Sequence, residues 1–143
     1  RFSALSRAAA PYVELLSTSL DAEVHLVHVV PHTTVAPSSG PLGLDPAVAI
    51  PLMEPTTDEA ERQLALFATQ LLPRAPRVRT AAVFGGIVDE LVRYAGAHAI
   101  ELIVMGTHAD GVLKRLVFGS IGRAVLEAAP CPVMLVPVRG APR

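Results

Sequence analysis

Short apolar runs alternate with amphipathic stretches along the whole chain, and that alternation is its most informative feature. From Ser3 to about Ser17, Leu5, Ala8, Tyr12 and Leu15 or Leu16 recur at helical spacing behind a plausible Ser3 cap. Pro11 interrupts this helix by removing a bond to the Arg7 carbonyl, so a bend is expected there. Glu23-Val24-His25-Leu26-Val27-His28-Val29-Val30 is a β-branched run closed by Pro31, which predicts a strand. The stretch from Pro31 to Pro55 carries Pro37, Pro41, Pro46 and Pro51 with Gly40 and Gly43, and reads as a surface loop.

Thr56-Thr57-Asp58-Glu59 has the form of a capping box, Thr56 capping and Glu59 reaching back. The helix that follows sets Ala60, Leu64, Phe67 and Leu71 on one face and stops at Pro73. Val78 to Phe84 reads as a second strand. Gly85-Gly86 then turns into a helix with Ile87, Leu91 and Tyr94 inward and Asp89 and Glu90 at its positive end. Glu101 to Met105 predicts a third strand, Ser120 to Ala128 a last helix, and Val133 to Val136 a last strand. Helix and strand alternate four times, the signature of parallel βαβ crossovers with helices on both faces of an open sheet. One domain is expected over residues 1–143.

Composition narrows the function. Hydrophobic residues make up 51% of the chain and charged residues 17%, as in a compact globular domain. The formal net charge of -1 and the absence of a basic stripe argue against a nucleic-acid surface. Cys131 is the single cysteine, so no intrachain disulfide and no thiolate cluster is available. Flanked by Pro130 and Pro132, it reads as a buried structural cysteine. The apolar runs are too short to span a bilayer, no leader pattern appears, and a cytoplasmic location with no membrane partner is the default expectation. His25, His28 and His32 are spaced like a small ligand set, but His25 and His28 fall on opposite faces of a strand, which disfavours a metal site. His98 ends a helix, where a solvated or dipole-facing role is expected.

The chemistry is expected in the segment from Gly106 to Gly122. It leaves a strand at the sheet edge where open α/β folds bind ligands, and re-enters a helix at Gly119-Ser120. Glycine permits close backbone approach to a phosphate, and a helix start offers free N–H groups. Ser120 is expected to be both N-cap and hydroxyl donor, and Lys114 or Arg115 to add charge. Neither a Walker A nor a G-x-G-x-x-G spacing occurs. The residues alone leave open whether these glycines serve a ligand or only tight turns.

Met105-Gly106-Thr107-His108, Leu113-Lys114-Arg115, Phe118-Gly119-Ser120 and Ala129-Pro130-Cys131-Pro132-Val133 together resemble the universal stress protein family. Leu26-Val27-His28-Val29 is similar to its second strand and Leu102-Ile103-Val104-Met105-Gly106 to its fourth. The resemblance implies a Rossmann-like fold of the adenine nucleotide alpha hydrolase type, and an adenine-nucleotide ligand, ATP first among them. By the same resemblance Gly106, Gly119 and Ser120 hold the phosphates, and Val29 and Met105 line the adenine and ribose pocket. His108 and Ile121 then lie beside the phosphates, and Ala109 takes the place of the family's middle glycine. Arg1 stands where the family has the Asp that closes its first strand, so the domain reads as lacking that strand and leaving two edges unpaired. The last strand, Val133 to Val138, is expected to pair two copies in a homodimer. A regulatory nucleotide-binding domain in the stress response is the leading reading. A dimeric interaction module of the same fold that binds no nucleotide is the alternative. No residue presents itself as a catalytic base, so ATP hydrolysis is the least supported reading.

Overall fold

A computed structural model of the protein describes residues 4–31, 56–108 and 119–138. The predicted loop from Pro31 to Pro55 falls, from residue 32 on, outside the described residues, as do the Ser3 cap, Arg1 and His32. Eight elements follow one another: α1 (Ala4–Leu20), β1 (Glu23–Val30), α2 (Thr57–Leu71), β2 (Arg77–Phe84), α3 (Ile87–Ala97), β3 (Ile103–His108), α4 (Ser120–Ala128) and β4 (Val133–Val138). This is the expected α/β alternation, and both strand pairings are parallel.

The described strands form two separate ladders. β1 pairs with β2 from Glu23↔Arg77 to Val30↔Phe84, and β3 pairs with β4 from Ile103↔Val133 to His108↔Val138. Each ladder has two strands, and no hydrogen bond joins the two among the described residues. Helices hold them together: α1 packs on β3, β4 and β1, while α3 packs on β1 and on α4.

α2 is built as its sequence dictates. Thr56 is the N-cap, and its hydroxyl accepts the Glu59 N–H at 3.4 Å. The reciprocal half of the capping box is not made, because the Glu59 carboxylate instead accepts from Gln63 and pairs with Arg62 one turn on. Ala60, Leu64 and Phe67 are buried as the periodicity requires, joined by Ala68 and Leu72. Leu64 and Val125 of α4 are the largest wholly buried side chains.

α1 departs from its expected face. It runs unbroken through Pro11, and Ala9, Ala10 and Ser17 are buried while Tyr12 and Leu15 are exposed. The inward stripe is thus rotated by roughly one residue toward the small side chains, which let the helix lie close against the strands. Ser17 is tolerated there because its hydroxyl donates to the Glu14 carbonyl at 3.1 Å.

β3 departs in register of its ends. Glu101 and Leu102 lie exposed before it, and pairing starts where the Ile103 N–H donates to the Pro132 carbonyl. It then continues through Gly106 to His108, because β4 extends opposite it through Pro137 and Val138. Gly106 is therefore a residue of the strand and not of the loop. Its lack of a side chain has a steric reason: an ideal Cβ there would fall on the Leu5 carbonyl oxygen, 2.6 Å from its carbon and 2.8 Å from its Cα. Gly85 has another reason, since its φ of +148° is open only to glycine at low cost and starts the turn into α3.

The fit at Gly106 makes a direct prediction. Gly106→Ala should destabilise the fold by about 1–3 kcal/mol through overpacking against the backbone of α1. Gly119→Ala, whose new carbon meets among the described residues only the Thr107 hydroxyl at 3.9 Å, should cost far less. Parallel thermal melts compare the two, and equal midpoints would refute the steric account.

Candidate functional site

The end of β3 and the start of α4 meet. Along β3 the two-residue repeat sets Ile103, Met105 and Thr107 on one face and Val104, Gly106 and His108 on the other. Thr107 is 8% exposed, and its hydroxyl lies 3.9 Å from where a Gly119 side chain would begin and 4.0 Å from where one at Gly122 would. Gly122 in turn leaves room for Leu135 of β4, whose nearest methyl is 3.6 Å from the same imagined carbon.

The first turn of α4 is uncapped. Gly119, not the expected Ser120, is the N-cap and has no side chain to accept an N–H, and the first helical bond joins the Arg123 N–H to the Gly119 carbonyl at 3.1 Å. The N–H groups of Ser120, Ile121 and Gly122 precede that bond and have no partner inside the helix. No acidic residue occupies this turn. The arrangement concentrates donors and positive dipole in a turn that has no acidic side chain of its own.

Of the residues named from the sequence, Gly119, Ser120 and Ile121 stand in this turn, all exposed, Ile121 at 40%. His108 is exposed at the last position of β3, directly after Thr107. Met105 is half-buried two residues before Thr107 on the same face. Val29 is half-buried one residue from the end of β1, opposite Val83, on the other ladder. Ala109, Gly111, Lys114 and Arg115 lie outside the described residues. Thr107 and Gly122 were not singled out by the sequence reading, which ended the strand at Met105. Continued alternation past Gly106 was the signal that would have found Thr107.

A model of the universal stress protein family matches residues 2–137, nearly the whole chain. The chain belongs to the universal stress protein family. Among curated relatives it is similar to universal stress protein MJ0531 of Methanocaldococcus jannaschii, 29% identical over 135 residues, 94% of this chain and 76% of that one. Universal stress protein MJ0577 of the same organism is 26% identical over 144 residues, with 94% of this chain and 89% of that one covered. The solved structure of MJ0577 superposes with a TM-score of 0.71 at 23% identity over 98% of this chain and 92% of that one. A universal stress protein solved in complex with cAMP superposes with a TM-score of 0.57 at 17% identity, covering 92% of this chain and 86% of that one. These likenesses carry the universal stress protein fold.

A second polar cluster lies on the other ladder. His25 Nδ1 is 2.9 Å from the Tyr94 hydroxyl and its Nε2 is 2.8 Å from the Glu23 carboxylate. Glu23 also pairs with Arg79 at 3.3 Å. His98 is the C-cap of α3, its Nδ1 3.1 Å from the Tyr94 carbonyl and its ring stacked on Tyr94 at 3.9 Å between centroids. These contacts join α3 to β1, and through Glu23 to Arg79 of β2. Burial raises the Tyr94 hydroxyl above its ordinary pKa of 10.0. Cys131 is half-buried and free, where a buried cysteine was expected. Among the described residues no helix is long and apolar enough to cross a membrane.

Burial also holds His28, on β1, below the ordinary histidine value of 6.5. Above pH 6.5 the folded and unfolded chains both carry neutral His28, and the stability is fully present. As the pH falls through that value the unfolded chain takes up a proton that the folded chain declines, so stability falls until the lower folded pKa is passed. His28→Gln should therefore flatten the decline in melting temperature just below pH 6.5. An unchanged slope in the variant would show that His28 is not its source.

Proposed function

We propose that this universal stress protein is a single regulatory domain that binds an adenine nucleotide, ATP in the first instance, with its phosphates at the start of α4. The uncapped turn at Gly119 and Ser120 carries the reading. It combines N–H donors that have no partner inside the helix, a glycine that lets a phosphate approach the backbone, and a hydroxyl at the first helical position. The complex of a structural neighbour with cAMP supports adenine nucleotides as the ligand class. Gly106 acts from the strand, Met105 and Val29 line the nucleoside side, and His108, Ala109 and Ile121 border the phosphates. Binding and not hydrolysis is the proposed activity.

The same reading includes a homodimer through β4. That strand pairs with β3 alone among the described residues, and its Val133, Met134 and Leu135 are half-buried within one subunit. Pro137 has no N–H to offer a ladder and stands exposed near the end of β4, as suits an edge strand. Pairing of two copies would cover the remaining apolar surface. Light scattering at micromolar concentration should return twice the subunit mass, and a monomer would remove this part of the proposal.

Calorimetry with ATP on the full-length protein tests the nucleotide reading. Ser120→Ala should remove one charge-assisted hydrogen bond, about 1.5–3 kcal/mol, or roughly ten- to a hundredfold in affinity. Gly119→Val should block approach to the backbone and abolish binding. Both variants should melt close to the parent, since both positions are exposed. Absence of ATP binding by the parent would favour the interaction-module reading. Binding unchanged in both variants would move the phosphates to another loop.

A further inference from the structure

We propose that Tyr94 is the residue at which this protein takes up a one-electron oxidation, giving its electron to a diffusible oxidant and its phenolic proton to His25. The inference stands apart from the nucleotide reading and uses the polar cluster on the β1–β2 ladder. Tyr12 and Tyr94 are the two tyrosines of the chain, and it has no tryptophan. Tyr12 is 47% exposed on α1, and its hydroxyl meets no protein base among the described residues. Tyr94 is half-buried, with its hydroxyl 2.9 Å from His25 Nδ1.

The chemistry of donors and acceptors assigns the direction of each bond. The Glu23 carboxylate only accepts, so His25 Nε2, 2.8 Å away, carries the ring hydrogen. Nδ1 of the neutral ring is then the bare nitrogen, and it accepts the Tyr94 O–H. These bonds hold α3 in place in the resting protein, and that role asks only for a donor and an acceptor. An imidazole adds a base. Burial holds the Tyr94 hydroxyl above its ordinary pKa of 10.0, so the phenol keeps its proton at neutral pH. Loss of an electron turns the same O–H into a strong acid, and the proton must leave for the oxidation to hold. A base at hydrogen-bond distance takes it in place. The electron goes to the oxidant, which leaves reduced by one electron. The proton crosses from the Tyr94 oxygen to His25 Nδ1, and no other bond breaks. The imidazolium that results donates to the Tyr94 oxygen on one side and to Glu23 on the other, whose negative charge offsets it. The same Glu23 oxygen meets Arg79 at 3.3 Å. His98 lies nearly parallel to the Tyr94 ring at 3.9 Å between centroids and covers one of its faces. Reduction returns electron and proton by the same path.

Flash oxidation of the full-length protein at neutral pH, with ruthenium(III) tris(bipyridine) as the oxidant, tests the assignment through the absorbance and electron paramagnetic resonance of the tyrosyl radical. Tyr12→Phe should keep most of the parent's tyrosyl signal, and Tyr94→Phe should lose most of it. In the Tyr12→Phe background, His25→Gln separates the base from the bonds, because the amide matches both hydrogen bonds but takes no proton. It should melt close to its parent and oxidise Tyr94 roughly a hundredfold more slowly. A tyrosyl signal that survives Tyr94→Phe intact, or an unchanged oxidation rate in His25→Gln, overturns the proposal. Should His25→Gln fail to fold, the Tyr12→Phe protein decides alone. A proton coupled to the Tyr94 radical and lost on exchange into deuterium oxide sustains the proposal, and its absence overturns it.

Discussion

The seating of α1 on β3 is the contact on which the arrangement depends. Two parallel ladders share no strand hydrogen bonds among the described residues, so their relative position is set by helices packed across them. α1 does most of this, and its first turn reaches β3 where the Leu5 backbone meets Gly106 with no room for even a methyl group. Ala9 and Ala10 further along the helix are buried. A larger residue at Gly106 would push α1 outward and shift the strand that carries Thr107 and His108.

That constraint separates two roles that the glycines of the predicted loop had shared. Gly106 serves packing, since its missing side chain faces a helix backbone. Gly119 and Gly122 serve the turn that opens α4, where one leaves the cap without a side chain and the other makes room for Leu135 and Thr107. The donors exposed there are an outcome of both. β3 must be held near α4 by α1, and α4 must begin without a capping side chain or an acidic residue.

On the other ladder, polar chemistry is spent on structure. His25, Glu23, Arg79, Tyr94 and His98 hydrogen-bond, pair and stack among themselves, and the cluster fastens α3 to the strands at the N-terminal part of β1 and β2. A group whose lone pairs and protons are matched inside the protein stabilises the fold.

The alternation of β-branched runs with helical periodicity was enough to read the α/β architecture from the sequence, because burial on a strand and on a helix leaves different periods. It located β1 and α4 to the residue and the Thr56 cap to its hydrogen bond. The helix start at Gly119-Ser120 was also legible, since glycine and serine before an apolar helical pattern mark a helix N-terminus. What the sequence could not determine is where a face turns when small residues compete. Ala9 and Ala10 won the interface from Tyr12 and Leu15 because close approach to strands favours the smaller side chains. Nor could it show that β3 passes through Gly106, because that depends on β4 offering partners as far as Val138. Strand pairing and helix seating join residues distant in the chain, so only the tertiary structure decided that Gly106 is a packing residue and that Thr107 faces the start of α4.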